Sequence, residues 1–203
     1  MICLKLYLNK LKKTMNIKKI ISEIRFKNIL KCNYDETLIL LQIRNELEIR
    51  ENSFTKHKIS LEEHNSWLKK ISQKKDSKNF IVFNKEKIIG NVNIYNSDND
   101  PSLRFWSFYI SKQYRKVGVG FALEYKALNL IFDKKSIELI NCFVLNANKE
   151  VIKLHKKFGF QEIVKKNNID IPNDFNKKTT HLYLSKENWL KIKKNLEKKF
   201  LLL

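Results

Sequence analysis

The sequence has few of the residues that divide or cross-link a chain. Its 203 residues include four glycines and two prolines, and no segment rich in Gly, Pro or Ser separates one part from another. This length without a linker predicts a single domain. Its three cysteines, Cys3, Cys32 and Cys142, are widely spaced. Such spacing is typical neither of a metal-binding cluster nor of a disulfide framework, so we expect no bound metal.

Long apolar runs are also missing. None approaches the roughly 20 residues that a membrane-spanning helix needs. Lys5 and Lys10 interrupt the apolar patches at the start of the chain, and no cleavage site of small residues follows them. We therefore predict no signal peptide and no membrane partner, and we expect a cytoplasmic protein. Residues 1–20 are predicted to be an N-terminal extension, and residues 21–203 a single domain.

Acidic residues are scarce, because 21 Asp and Glu face 41 Lys and Arg and leave a formal net charge of +20. A nucleic-acid partner is one explanation of such a charge. Only five of the basic residues are arginines, however, and arginine is the residue that best contacts base edges and phosphates in pairs of hydrogen bonds. The lysines are spread over the whole chain, which indicates a compositional bias. We therefore expect no nucleic-acid partner, although the positive field would attract polyanionic small molecules.

The spacing of apolar residues predicts alternating strands and helices. The predicted strands cover residues 24–30, 79–84, 87–95, 103–111, 138–145, 161–166 and 179–184. The predicted helices begin near Asp35, Ser60, Gly118, Asn148 and Ser185. Ser60 and Glu63 form a capping-box pattern at the start of one helix. This order predicts an α/β fold in which helices cover a central sheet.

One segment indicates a phosphate site. The strand at 103–111 leads into Arg115-Lys116-Val117-Gly118-Val119-Gly120, and an apolar helix begins at once. Glycines let the backbone approach a ligand, and free N–H groups at a helix start bind anions such as pyrophosphate. The segment lacks the G-x-x-x-x-G-K-[ST] of a P-loop, and also the third glycine and the ribose-binding acid of a dinucleotide fold. Taken alone, it fits an ordinary strand-to-helix turn equally well.

A second motif makes the interpretation of the first one more specific. From Asn148 the chain contains N-x-x-V-x-x-L-H-x-x-x-G-F, which ends at Phe160. With both motifs in this order, the sequence resembles the GCN5-related N-acetyltransferase (GNAT) family over residues 23–190. The resemblance implies a mixed central sheet of six to seven strands flanked by helices. It also implies that strands 4 and 5 splay apart, which places a gap between residues 105–111 and 138–145.

The resemblance implies acetyl-CoA as the co-substrate and direct attack of a neutral amine on its thioester. The backbone of Phe108, Tyr109 and Ile110 would bond the pantetheine arm and polarise the thioester carbonyl, in an oxyanion-type role. Asn148 would contact the pantetheine arm. The residues implied to bind the pyrophosphate are Arg115, Lys116, Val117, Gly118, Val119 and Gly120.

His155 departs from the family pattern, because many members carry a tyrosine there as the acid that protonates the departing thiolate. Val151, Leu154, His155 and Phe158 share one face of the predicted helix. One interpretation is therefore a hydrogen-bonded core histidine. The other is a catalytic acid, since an imidazole titrates near neutral pH. Both interpretations stay open from the sequence.

The acetyl acceptor is indicated by the segments around Arg44 and from Ile59 to Trp67. They resemble the GNAT branch that acetylates a UDP-linked 4-amino-4,6-dideoxy sugar for pseudaminic acid, a pathway of bacterial surface glycans and flagellin glycosylation. For a UDP-sugar, Arg44, Arg50 and His64 are suited to a diphosphate or a uracil edge, and Trp67 or Trp106 is suited to stack on the base. Of these, Arg44, His64 and Trp67 are predicted to bind the substrate. Cationic donors on helix faces suit phosphate oxygens. The competing interpretation pairs Arg44 with Glu48 on the helix surface and buries Trp67 in the core.

Other assignments are left open by the sequence. His64 and Glu63 are candidates for the general base, but Glu63 is better explained as a helix cap, so no base is assigned. The alternative function is an N-terminal protein acetyltransferase of the ribosomal-protein alanine type, since that branch is closely related. A third hypothesis, a non-catalytic binding module, conflicts with the intact segment from Arg115 to Gly120.

Overall fold

In the computed structural model, the described residues are 16–74, 78–97, 100, 102–133, 136–163 and 178–200. Their strands form one seven-stranded sheet in the order β1-β2-β3-β4-β5-β7-β6. The strands are β1 (Ile24–Asn28), β2 (Lys78–Asn84), β3 (Lys87–Asn96), β4 (Arg104–Ile110), β5 (Leu139–Leu145), β6 (Gln161–Glu162) and β7 (Thr179–Ser185).

The helices follow the predicted order with two additions, one at the start of the described chain and a short one after the helix predicted near Asp35. They are α1 (residues 16–23), α2 (Tyr34–Arg44), α3 (Leu47–Glu51), α4 (Leu61–Gln73), α5 (Val119–Phe132), α6 (Lys149–Lys157) and α7 (Lys186–Phe200). The capping box of Ser60 and Glu63 is present with both of its hydrogen bonds. The first strand ends earlier than predicted, because Asn28 accepts a hydrogen bond from the Leu30 N–H and starts a 3-10 turn.

The sheet has very little strand pairing at one place, between β4 and β5. Strands β1 to β4 pair in antiparallel fashion, and β5, β7 and β6 do the same on the other side. Between these two groups, β4 and β5 are parallel and share the single pair Phe105–Asn141. Beyond that pair the two strands separate toward their C-terminal ends. The predicted mixed sheet, splayed between strands 4 and 5, is confirmed.

Two cores cover the two faces of the sheet. The larger one packs α5 against the sheet and includes the fully buried Trp106, Leu123 and Leu128. The smaller one packs α2, α3 and α4 against the opposite face and is centred on residues such as Leu40 and Ile81. The two cores therefore place α5 and the α2–α4 group on opposite sides of the gap between β4 and β5.

The N-terminal boundary falls inside a packed helix. In α1, Ile17 and Ile20 are 6% and 9% exposed, and Ile20 belongs to the larger core. We therefore propose that the domain begins no later than residue 16, whereas the predicted boundary was residue 21. Residues 1–15 of the predicted extension lie outside the described residues. None of the helices in the described chain is long and apolar enough to cross a membrane.

Candidate active site

A cavity of about 1300 Å³ opens where β4 and β5 separate. Its walls include residues 106–110 of β4 and 142–145 of β5, and it continues to the loop 115–118 and the start of α5. On the opposite face of the sheet it reaches the end of α2 and the connection between α3 and α4. One continuous space thus joins the predicted cofactor side to the predicted acceptor side.

The backbone of β4 offers hydrogen-bond groups to this gap. Ser111 N donates to Ile89 O at 2.8 Å, which fixes the alternation of the β3–β4 ladder. In an antiparallel ladder every second residue faces its partner strand, so Tyr109 is paired with β3. The backbone N–H and C=O groups of Phe108 and Ile110 therefore point away from β3 and toward the gap. The Ile110 carbonyl indeed accepts a bond from Arg115 Nε at 2.8 Å.

This alternation refines the prediction for the pantetheine arm. The N–H groups of Phe108 and Ile110 point in the direction that a cofactor in the gap requires. The Tyr109 N–H does not, because it serves the β3–β4 ladder. The Tyr109 side chain lines the cavity on the acceptor face instead, where burial raises the pKa of its hydroxyl.

The loop before α5 has the conformation of an anion site. Gly118 is the N-cap of α5 with φ of 94°, a left-handed conformation that favours glycine. The N–H groups of Gly120 and Phe121 lie in the first turn, where no helical carbonyl is available to accept from them. Val119 is buried, and its N–H donates to Lys116 O at 3.1 Å. The glycine backbone and the first helical turn therefore fit a pyrophosphate.

Arg115 holds the loop in place. Its Nε bonds Ile110 O, and its Nη1 lies 3.0 Å from Glu48 Oε2. Glu48 also pairs with Lys112 at 2.5 Å, and Glu46 accepts a 2.9 Å bond from the Lys112 N–H. Carboxylates of the α2–α3 region thus fix the loop from outside. Arg115 still lines the cavity, as do Lys116 and the 82% exposed Val117.

Asn148 begins the second predicted motif at the edge of the same cavity. Its Oδ1 accepts from Val151 N at 3.4 Å, so the side chain caps α6. The cap uses the oxygen of the carboxamide, and the NH2 group is the part suited to donate to a pantetheine carbonyl. Asn148 lines the cavity, as predicted from its motif position.

His155 forms a buried ion pair that was absent from the sequence analysis. Its Nδ1 lies 2.7 Å from Glu124 Oε1, and the two side chains are 3% and 0% exposed. Burial by itself lowers the pKa of His155, but the Glu124 carboxylate and Cys142 both raise it, and the net shift is upward. Burial also raises the pKa of Glu124, whose Oε2 has no hydrogen-bond partner among the described residues. The pair therefore retains a proton in the hydrogen bond between Nδ1 and Oε1.

His155 also lines the cavity, at the gap between the strands. Its ring lies 5.3 Å from Trp106, 5.8 Å from Phe108 and 4.8 Å from Phe160, measured between centroids. It is thus buried like a core residue but carries a charged partner and borders the predicted thioester position. The sequence held one signal of this pair, since Glu124 is the only acidic residue in the largely apolar α5.

Arg44 lies on the acceptor side. It is in the last turn of α2 and lines the cavity, with Nη2 donating to Thr55 O at 3.2 Å. Its Nη1 is buried without a partner among the described residues, and burial lowers the pKa of the guanidinium. The alternative pairing of Arg44 with Glu48 is wrong, because Glu48 pairs with Lys112 and Arg115.

His64 and Trp67 are not brought to the cavity. His64 is 5% exposed on α4, where burial lowers its pKa, and its ring lies 5.6 Å from that of Trp67. Trp67 packs against the smaller core. Neither is among the described residues that line the cavity. Glu63 is occupied by the capping box and by His57 Nε2 at 2.8 Å. Neither candidate for the general base, His64 or Glu63, is therefore placed at the cavity by the described residues.

The acceptor side contains residues that the sequence analysis did not single out. Asn93 and Ser107 face each other on β3 and β4, with Nδ2 and Oγ 3.4 Å apart. Among the described lining residues, Glu150 on α6 is the only carboxylate, and it is exposed. Apart from the apolar Ile49, the other described lining residues on this side are polar or aromatic: Asn52, Ser53, Phe54, Thr55, Tyr95 and Phe143.

A family profile decides the identity of this site. The profile "Acetyltransferase (GNAT) domain" matches residues 31–161, which include the gap, the loop before α5 and α6. The chain belongs to the GNAT family of acetyltransferases. The predicted GNAT fold and enzyme class are therefore confirmed.

Individual relatives of this GNAT enzyme agree with that assignment. Acetyltransferase PseH of Campylobacter jejuni is 28% identical over 137 residues, which cover 68% of this chain and 84% of that protein. The crystal structure of C. jejuni N-acetyltransferase PseH in complex with acetyl-coenzyme A has a TM-score of 0.58 at 22% identity, covering 80% of this chain and 98% of that one. The enzyme is an N-acetyltransferase with acetyl-CoA as its donor.

The same fold is also found in N-acetyltransferases other than the PseH proteins. Spermidine N-acetyltransferase from Vibrio cholerae, solved with CoA and spermine, has a TM-score of 0.68 at 16% identity and covers 83% of this chain and 99% of its own. At this identity the likeness shows the GNAT fold alone. The acceptor of this GNAT enzyme must therefore be argued from its own cavity.

Proposed function

We propose that the enzyme transfers the acetyl group of acetyl-CoA to the 4-amino group of a UDP-linked amino-dideoxy sugar. The small-molecule acceptor would be a precursor of pseudaminic acid, and the enzyme would act in the bacterial cytoplasm, upstream of flagellin glycosylation. Three findings support the proposal: the resemblance of the segments around Arg44 and His64, the similarity to PseH, and the character of the acceptor side of the cavity.

The observation that carries the proposal is a half-buried cation, Arg44, on a side of the cavity where no carboxylate is among the described lining residues. Its Nη1 is without a partner there, and apart from Ile49 the described lining residues around it are polar or aromatic. A guanidinium suits a diphosphate, which accepts several charge-assisted hydrogen bonds. A polyamine acceptor would instead need acidic residues to offset its positive charges. The aromatic Tyr95 and Phe143 offer surfaces for a base or a sugar ring.

The residues present fit acetyl-CoA, which supplies the activated acetyl thioester. Gly118 and the first turn of α5 hold the pyrophosphate, and Asn148 donates to the pantetheine arm. The Phe108 N–H stabilises the negative charge that develops on the thioester oxygen. As the amine nitrogen forms its bond to the acetyl carbon, the carbon–sulfur bond breaks, and the amine loses a proton to solvent water.

His155 is proposed as the acid for the departing sulfur. Its imidazolium would give a proton to the thiolate, and solvent would restore that proton before the next turnover. Glu124 acts through His155 and is a positioning residue. Its carboxylate keeps Nδ1 protonated and holds the ring at the gap.

The deciding experiment measures thiol release from acetyl-CoA with three competing acceptors. These are the 4-amino-4,6-dideoxy UDP-sugar, a panel of peptides with free N-termini, and spermidine. We expect turnover with the sugar nucleotide and with neither rival. Turnover with peptides only would replace the proposal by the N-terminal protein acetyltransferase, and turnover with spermidine only would show that Arg44 does not select the acceptor.

A further inference from the structure

Two helices outside the family match contribute to the cavity. The GNAT profile ends at residue 161 and begins at residue 31, so it includes neither α1 nor α7. Ile17 of α1 nevertheless lines the cavity, together with Leu196 and Lys199 of α7. The structure therefore gives this enzyme cavity walls that the family profile does not describe.

We propose that α1 and α7 form an accessory binding site for the 3′-phosphoadenosine end of acetyl-CoA. The apolar side chains Ile17 and Leu196 would contact the adenine, and Lys199 would contact the 3′-phosphate. The site extends the acetyl-CoA site and does not rest on the identity of the acceptor.

The position of α1 follows from the loop that precedes α5. A Cβ atom built on Gly118 would lie 3.2 Å from Ile20 Cδ1 and 3.7 Å from Ile17 Cγ1. The helix is therefore in contact with the N-cap of α5, the proposed pyrophosphate site. Ile17 is 6% exposed and still borders the cavity. A ligand that continues beyond the pyrophosphate would meet this side chain.

The position of α7 follows from the second motif. A Cβ atom on Gly159, whose φ is 88°, would lie 2.8 Å from Ile192 Cγ1, and Asn188 Nδ2 donates to Gly159 O at 2.6 Å. Farther along the helix, the Tyr125 hydroxyl bonds Glu197 Oε1 at 2.7 Å. These contacts fix α7 against both α5 and the end of α6. Its last turns consequently reach the cavity at a defined place.

The chemistry of this end of the cavity matches the far end of the cofactor. The thioester lies at Phe108 and His155 in the gap, and the pyrophosphate lies at Gly118. The ligand atoms beyond the pyrophosphate are an aromatic base and a dianionic phosphate. The cavity lining also includes Phe121, one residue after Gly120, for the base. For the phosphate, it offers four cations at the rim: Lys116, Lys153, Lys157 and Lys199.

The test compares three ligands by calorimetry in the absence of any acceptor: CoA, dephospho-CoA and phosphopantetheine. Lys199→Glu is compared with Lys198→Glu, an equally exposed neighbour that does not line the cavity. We expect Lys199→Glu to weaken CoA binding about tenfold and dephospho-CoA binding less than twofold, because only CoA carries the 3′-phosphate. Equal losses from both variants, or equal losses on both ligands, would overturn the assignment of Lys199.

A second pair of variants tests the apolar contact. Ile17→Ala is compared with Ile21→Ala, on the same helix and packed on the core but absent from the cavity lining. Ile17→Ala should weaken CoA and dephospho-CoA equally, about threefold, and leave phosphopantetheine unchanged, because phosphopantetheine has no adenosine. An equal loss for phosphopantetheine would mean that α1 only supports the loop, and the adenine site would be refuted.

Discussion

The two sides of the cavity present different kinds of chemical groups. The cofactor side uses backbone groups and helix ends: the Phe108 N–H, the N-cap Gly118 and the N-cap Asn148. The acceptor side uses side chains, with Arg44 as the only arginine and loop residues 52–55 around it. Backbone groups and caps depend on the local geometry of the chain, which motifs encode. Side chains in a connecting loop can change without altering the fold, so substitutions on the acceptor side can change the substrate while the fold is kept.

The largest effect is expected from Gly118→Val, which changes the backbone on the cofactor side. Valine strongly disfavours φ of 94°, and its Cβ would meet Ile20 at 3.2 Å. The added side chain points toward α1, so the loss acts through the backbone of the N-cap. We expect acetyl-CoA affinity to fall on the order of 100-fold, measured by calorimetry beside a thermal melt. Gly120→Ala, which adds a contact at 3.4 Å, should be milder. Unchanged affinity in the valine variant would refute the pyrophosphate site.

The next effect concerns the boundary between the two sides, where Glu124 raises the pKa of His155. The charged imidazole is present below that raised pKa and is lost as pH rises through it. Glu124→Gln removes the charge that is the largest cause of the raised pKa, and burial, which lowers the pKa, is then opposed by Cys142 alone. The alkaline limb of kcat should therefore move to lower pH, and kcat at neutral pH should fall on the order of 10- to 100-fold.

Another buried histidine, His181, supplies the control for this shift. His181 is 1% exposed, and its Nε2 lies 3.0 Å from the amide oxygen of Asn141, outside the cavity lining. His181→Gln should lower stability without moving the pH limb. If Glu124→Gln keeps both the normal kcat and the normal limb, His155 is a core residue and the acid role is lost.

A smaller effect is expected on the acceptor side from Arg44→Ala. The KM of the sugar nucleotide should rise about tenfold, because a charged hydrogen bond to phosphate is removed. The KM of acetyl-CoA should stay within twofold, as measured by initial rates. Arg50→Ala is the matched control, since Arg50 bonds the carbonyls of Asn45 and Lys56 in the same connection without lining the cavity. Equal effects would assign the change to the loop and not to Arg44.

The smallest effect is expected at Asn148, where two variants distinguish its role as an N-cap from its role as a donor to the cofactor. Asn148→Ala should lower the melting temperature, because losing an N-cap costs about 1 kcal/mol, and should weaken acetyl-CoA binding about fivefold. Asn148→Ser keeps a capping oxygen but removes the amide donor. It should restore the melting temperature and not the affinity. If serine restores both, Asn148 is only a cap.

The sequence was sufficient for features that depend on neighbouring residues. The capping box at Ser60, the strand-to-helix turn at Gly118 and the order of strands follow from local spacing. The ion pair of Glu124 and His155 joins residues 31 positions apart and becomes visible only when α5 and α6 pack together. The position of His64 could not be predicted for a related reason, because the direction of a histidine side chain on α4 is known only once α4 is docked against its neighbours.

The single pair Phe105–Asn141 also has a thermodynamic consequence. It leaves the sheet as two panels, one of four strands and one of three, connected directly at one bridge. A cofactor lying between the panels contacts both and binds only when they are correctly spaced. Binding to the folded state alone adds RT ln(1 + [L]/Kd) to the free energy of unfolding. The lifetime of this enzyme in a cell should accordingly rise and fall with the supply of acetyl-CoA, which makes the metabolite a stabiliser as well as a reactant.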